Sequence, residues 1–202
     1  GANYVATAYG PLMARTIQYL NSGTMPRVPS TETIKVAVAI APDIRFLGDA
    51  ADTVRDTLQF NGMSYDENVT AGNLLELNII SADQDPMAPL TAQIEAILDF
   101  APHILIELGE NELFTTLIPG IEGLWETDNP GQAHPFYMFS PYHYKAAPGL
   151  TPAFQANQMP DPLNLRSAGV NWAGTPEDLE SIRDEYNRDW DLMFMDQRGV
   201  RD

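Results

Sequence analysis

The sequence predicts an α/β fold: an open parallel sheet with helices on both faces, three layers in all. Three observations predict it. Short apolar runs rich in β-branched residues alternate with segments of helical periodicity. The runs are nearly continuous in their apolar character, which suits strands buried on both faces. The spacing between runs leaves room for one helical crossing each, as right-handed parallel connections require.

The elements follow in order. Residues 10–22 read as a helix, with Pro11 suited to its first turn and Leu12, Ile17 and Leu20 on a partial apolar stripe. Asn21-Ser22-Gly23 stops it, and a polar connection containing Pro26 and Pro29 follows. Residues 34–40 (IKVAVAI) are the first strand, leaving through Ala41-Pro42-Asp43. Leu47, Ala51, Val54 and Leu58 recur at helical spacing until Asn61-Gly62 closes that helix. Residues 74–80 are the second strand, and 83–89 a turn-rich loop. Leu90, Ile94, Ile97 and Leu98 mark a helix ending before Pro102. Residues 103–108 (HILIEL) are the third strand, with Gly109 at its exit. Leu113, Phe114, Leu117, Ile121 and Leu124 mark the next helix, which Pro119 is expected to kink or split. Residues 135–140 (PFYMFS) are the fourth strand.

Beyond residue 141 the alternation breaks. Residues 145–165 are rich in Pro, Ala and Asn, and 168–173 form a candidate strand. Thr175-Pro176-Glu177-Asp178 is a helix start, with a capping Thr, Pro at the first position and acids against the dipole. The expected organisation is a helix and linker over 1–33, an α/β ligand-binding lobe over 34–145, and a crossing segment with a terminal helix over 146–202. The outer helices look as if they belong with another lobe or a partner subunit.

Composition narrows the function. The chain has 202 residues, 44% of them hydrophobic, enough for a sizeable core. With 28 acidic and 11 basic residues the formal charge is −17, which disfavours nucleic acid and anionic lipid as partners. There is no cysteine, so thiolate chemistry and Cys-ligated metals are excluded. No apolar run reaches the length of a membrane span.

The order of elements, with the phrases IKVAVAI, Ala101-Pro102-His103-Ile104-Leu105-Ile106, LFTTLIPGIEGLW and PFYMFS, resembles the second lobe of a type I periplasmic binding protein. That family supplies the substrate-binding components of branched-chain amino-acid ABC transporters and related receptors. The segment 164–172 resembles the crossing back to the first lobe, and EDLESIRDEYNRDW the return helix. The resemblance implies a Rossmann-like three-layer lobe, a periplasmic or extracytoplasmic setting, no catalysis and no cofactor. It implies three partners: a small ligand such as an amino acid, a permease or sensor domain, and a first lobe or second subunit lying outside this chain. Residues 1–33 would be a remnant of that first lobe.

Ligands of open α/β sheets bind beyond the carboxyl ends of the strands. Three exits therefore supply the candidate ligand-binding residues: Asp43; Glu110 and Asn111, with Glu112 beside them; and Ser140, Tyr142 and Tyr144. The carboxylates would repel an anion and accept charged hydrogen bonds from an amine, and the tyrosines could face its cation. Each has a plainer reading. Asp43 is a common turn former or helix cap, Glu110 and Glu112 are common first-turn acids, and the tyrosines could meet a neighbouring lobe.

His103, His134 and His143 show no paired metal-ligand spacing, and His103 at a strand start reads as structural. No nucleophile elbow, Walker loop or dinucleotide-binding fingerprint occurs. Asn68-Val69-Thr70 is a glycosylation sequon, and Trp125 reads as packing at a helix end. Two other functions fit less well. A flavodoxin-like receiver module would use Asp43, with Lys145 after the fourth strand. A metal-assisted hydrolase would gather Asp43, Glu110 and Glu112 around Mg²⁺.

Overall fold

The apolar runs become strands because each buries both faces. In the computed structural model, which describes residues 9–21, 28, 32–79, 90–109, 116–139 and 166–169, these are β1 (Val36–Ile40), β2 (Leu74–Asn78), β3 (Ile104–Leu108), β4 (Phe136–Phe139) and β5 (Ser167–Gly169). They form one sheet in the order β2-β1-β3-β4-β5, parallel throughout. Every residue of β1, β3 and β4 is buried, whereas the edge strand β2 is half-buried along most of its length. The fold is thus the predicted open α/β sheet with helices on both faces.

The two faces have separate cores. On one side Val36, Val38, Ile40, Ile104, Ile106 and Met138 pack with α1 (Tyr9–Leu20), α2 (Arg45–Thr57) and α3 (Tyr65–Thr70). On the other, Ala37, Ala39, Leu105, Tyr137 and Phe139 pack with α4 (Thr91–Phe100) and α5 (Ile118–Asp128). The alternation along each strand sends neighbouring side chains to opposite cores.

Several boundaries differ from expectation, each for a physical reason. Helix α1 does not stand apart from the lobe: Tyr9, Met13 and Leu20 are buried in the same cluster as the strands, because its apolar face covers the sheet. Residues 167–169, expected within a crossing to another lobe, pair with β4 as a fifth strand. The stretch in which Pro119 was expected to kink or split a helix is described only from residue 116 onward. Pro119 lies in the first turn of α5, where its missing N–H costs no hydrogen bond. Within α5, Trp125 and not Leu124 continues the buried face from Ile121, and Leu124 is exposed.

Helix α3 was not apparent from periodicity, being one and a half turns long. Its start is a capping box: Glu67 N donates to Ser64 Oγ, and Ser64 N donates to Glu67 Oε2 at 2.8 Å. Asn68 behind it is fully buried, and its amide donates to the carbonyls of Phe60, Met63 and Ser64 at 2.9–3.2 Å. The sequon asparagine is therefore closed to glycosylation in the folded chain.

The proposed terminal helix, the exit residues 110–115 and 140–144, and the connection 145–165 lie outside the described residues.

Candidate functional site

Strand order decides where a site can form. From β1 the chain passes outward to β2, then crosses back over β1 to β3. The connections leaving β1 and β3 thus run to opposite faces, through α2 and through α5. Their carboxyl ends part above the sheet, which is the topological switch point where open α/β sheets hold ligands.

Two hydrogen bonds fix the exit of β1 at that point. Ala41 N donates to Leu108 O at 2.9 Å, and Ile79 N donates to Ile40 O at 2.7 Å. The chain then turns tightly through Pro42 and Asp43 into α2, with Gly48 N on Ile44 O at 2.9 Å. Asp43 is exposed at this turn, and Ile44, without a side-chain capping bond, holds the cap position itself. Beside it lies an open depression of about 470 Å³ lined by Asp43, Arg45, Gly48, Asp49, Asp52 and Arg55 among others. Arg55 is committed elsewhere: it donates to Glu76 Oε2 at 3.0 Å and Oε1 at 2.6 Å and to Asp52 at 2.6 Å. Asp43 and Arg45 are both exposed on this rim, a carboxylate beside a guanidinium.

Two further groups belong to this edge. Glu107, one residue before the end of β3, is fully buried between Ala39 and Phe139 in register. The phenol of Tyr9 donates to Phe139 O at 3.2 Å, and burial followed by the charge of Glu107 pushes it far above its ordinary range. It remains a neutral donor at any physiological pH. Sequence reasoning passed over Glu107, although a single acid inside the apolar run ILIEL was the available signal. Of the predicted ligand residues, Asp43 falls at the switch point; Glu110, Asn111, Ser140, Tyr142 and Tyr144 lie outside the described residues. Gly109, which introduces the first two, is buried at the end of β3 beside the exit of β1. No group of three or more His, Asp or Glu able to hold a metal occurs among the described residues.

The amino edge of the sheet is polar too, but its groups are engaged with one another. Lys35 Nζ donates to Phe100 O at 3.0 Å, and Lys35 N donates to His103 Nδ1 at 3.0 Å. Burial holds His103 below the usual imidazole range, against the opposing charge of Glu32, which favours the neutral acceptor. Its role is structural, as its place at a strand start suggested.

Nearby, Arg166 is fully buried and grips Glu122 at 2.7 and 3.1 Å while donating to Pro135 O at 2.8 Å. Tyr137 donates to the same carboxylate at 2.6 Å. Burial alone would raise the Glu122 carboxyl; the close His134 ring, the hydrogen bonds from Arg166 and Tyr137 and the arginine charge overcome it and hold it at about 2. This cluster escaped sequence reasoning because its members lie on three elements far apart in the chain.

Comparisons with protein-family models, with curated proteins and with solved structures find no match to this chain.

Proposed function

We propose that the chain is a ligand-binding lobe of an extracytoplasmic solute-binding protein that serves an ABC importer or a sensor. Its ligand is a small polar molecule such as an amino acid, held at the carboxyl edge of the sheet between β1 and β3. The observation that carries this reading is the reversal of strand order at β1 and β3 with Asp43 at the opening. Charge chemistry supports the ligand class: Asp43 suits an ammonium group and the neighbouring Arg45 a carboxylate, the two ends of an amino acid.

Titration calorimetry with a panel of amino acids, amines and small carboxylates tests it. A binder is expected, and Asp43→Asn should weaken an ammonium-bearing ligand about tenfold or more, since a hydrogen bond to a charged group is worth about 1.5–3 kcal/mol. Silence across the panel, or a binder indifferent to Asp43→Asn, counts against the proposal. A receiver module is the second reading, favoured by the strand order shared with flavodoxin-like proteins and by the same exposed Asp43. Stabilisation by a phosphoryl mimic with Mg²⁺, and not by any amine, would support that reading instead.

A further inference from the structure

His134 lies just before β4 with its side chain almost fully buried, yet it touches two carboxylates. Its Nδ1 is in ion-pair contact with Glu122 Oε2 at 3.1 Å, and its Nε2 meets Glu126 Oε1 at 3.1 Å. Glu122 and Glu126 come from successive turns of α5, and the ring also faces Trp125, with centroids 5.8 Å apart. A neutral imidazole carries one proton. One of its nitrogens would then turn a lone pair toward a carboxylate oxygen, which is repulsive. Only the doubly protonated ring turns a proton toward both carboxylates, through a hydrogen bond at Nε2 and an ion-pair contact at Nδ1 that lacks hydrogen-bond alignment.

We propose that His134 is a proton-operated clamp at the amino edge of the sheet, closed on both Glu122 and Glu126 when the ring is charged and releasing Glu126 when it is not. Glu126 is the member that leaves because its side chain is largely exposed, whereas Glu122 is held by Arg166 and Tyr137. The clamp sits beside the edge of the sheet. Arg166 is tied to Glu122 by its guanidinium, and its carbonyl accepts from Tyr137 N at 2.7 Å where β5 begins. With His134 neutral, Glu122 loses one cation but Arg166 loses a like-charged neighbour, so the Arg166–Glu122 pair beside β5 stays closed while Glu126 is released.

The surrounding charges agree on direction. Burial opposes the charged ring and so does the nearby Arg166, but the bonds and charges of Glu122 and Glu126 outweigh them, raising His134 above its ordinary value. Tyr137 does not titrate in this range, since burial and then Glu122 push its phenol far upward. A folded value above the unfolded one means the stabilisation is complete below about pH 6.5 and is lost as pH rises through the folded value.

Two measurements on the full chain test the clamp. NMR titration of the His134 ring is expected to give a pKa above 6.5 in the wild type and a lower one in Glu126→Gln, which keeps the buried pair intact. The side-chain carboxyl shift of Glu126 is expected to follow the His134 titration in the wild type and to lose that dependence in His134→Gln. A His134 pKa at or below 6.5, or one unmoved by Glu126→Gln, would overturn the proposal even if His134→Gln does not fold. A Glu126 carboxyl shift with the same pH dependence in wild type and His134→Gln overturns it as well.

Discussion

Replacing Arg166 by alanine is expected to destabilise the chain by about 3–5 kcal/mol, the usual cost of removing one partner from a buried ion pair. The side chain is fully buried, and its loss leaves the Glu122 carboxylate with the Tyr137 hydrogen bond and the ion-pair contact of His134. Pro135 O loses its donor as well. The cost is mostly the penalty of an uncompensated charge, which separates it from packing loss. The double variant Arg166→Met with Glu122→Leu should therefore be more stable than Arg166→Ala alone, since it removes both charges from the interior.

The pH dependence supplies an independent check. Glu122 titrates at about 2 in the folded chain. Because that value lies below the unfolded one, the stabilisation is present above about pH 4.5 and is lost as pH falls toward 2. Chemical denaturation of wild type and Arg166→Ala from pH 7 to 3 should show the gap between them narrowing with acid. A gap that is small at pH 7, or constant with pH, would mean that the buried pair does not hold the edge of the sheet.

Ile106→Ala carries the second large effect, about 2–5 kcal/mol, against about 0.5–1.5 for Ile106→Val. Ile106 is fully buried at the middle of β3, with Val38 on one side in register and Met138 on the other. Its side chain points into the core shared with α1 and α2, so truncation leaves a cavity with little freedom to collapse. Leu124→Ala, on the exposed face of α5, should change stability by no more than about 0.5 kcal/mol. Urea titrations of the three variants check the contrast. Equal losses at Ile106 and Leu124 would contradict the two-core arrangement.

How much of this was legible in the sequence follows from the range of each interaction. VAVAI, ILIEL and FYMF announce strands because each satisfies its environment alone, by apolar character on both faces. The place of Asp43 at the exit of β1 was legible for the same reason: a strand exit is a local feature. Helix α3 was not, since one capping box and a buried Asn68 specify it without an apolar stripe. The place of α1 was misread because an amphipathic stripe does not say which surface it covers. The Glu122–Arg166 pair spans 44 positions, so only the folded chain brings it together. Pro119 shows that a residue type has a meaning only with its position, since the same ring that breaks a helix interior starts one here.

Placing the binding site at the β1/β3 switch point is the central claim, and mapping amide chemical shifts during titration with a binder from the amino-acid and amine panel tests it most directly. The account predicts the largest changes at Ala41, Asp43, Ile44 and Gly109, with little change at His103, His134 or Arg166. Changes concentrated at that opposite, amino edge, with Ala41–Ile44 and Gly109 unmoved, would contradict it.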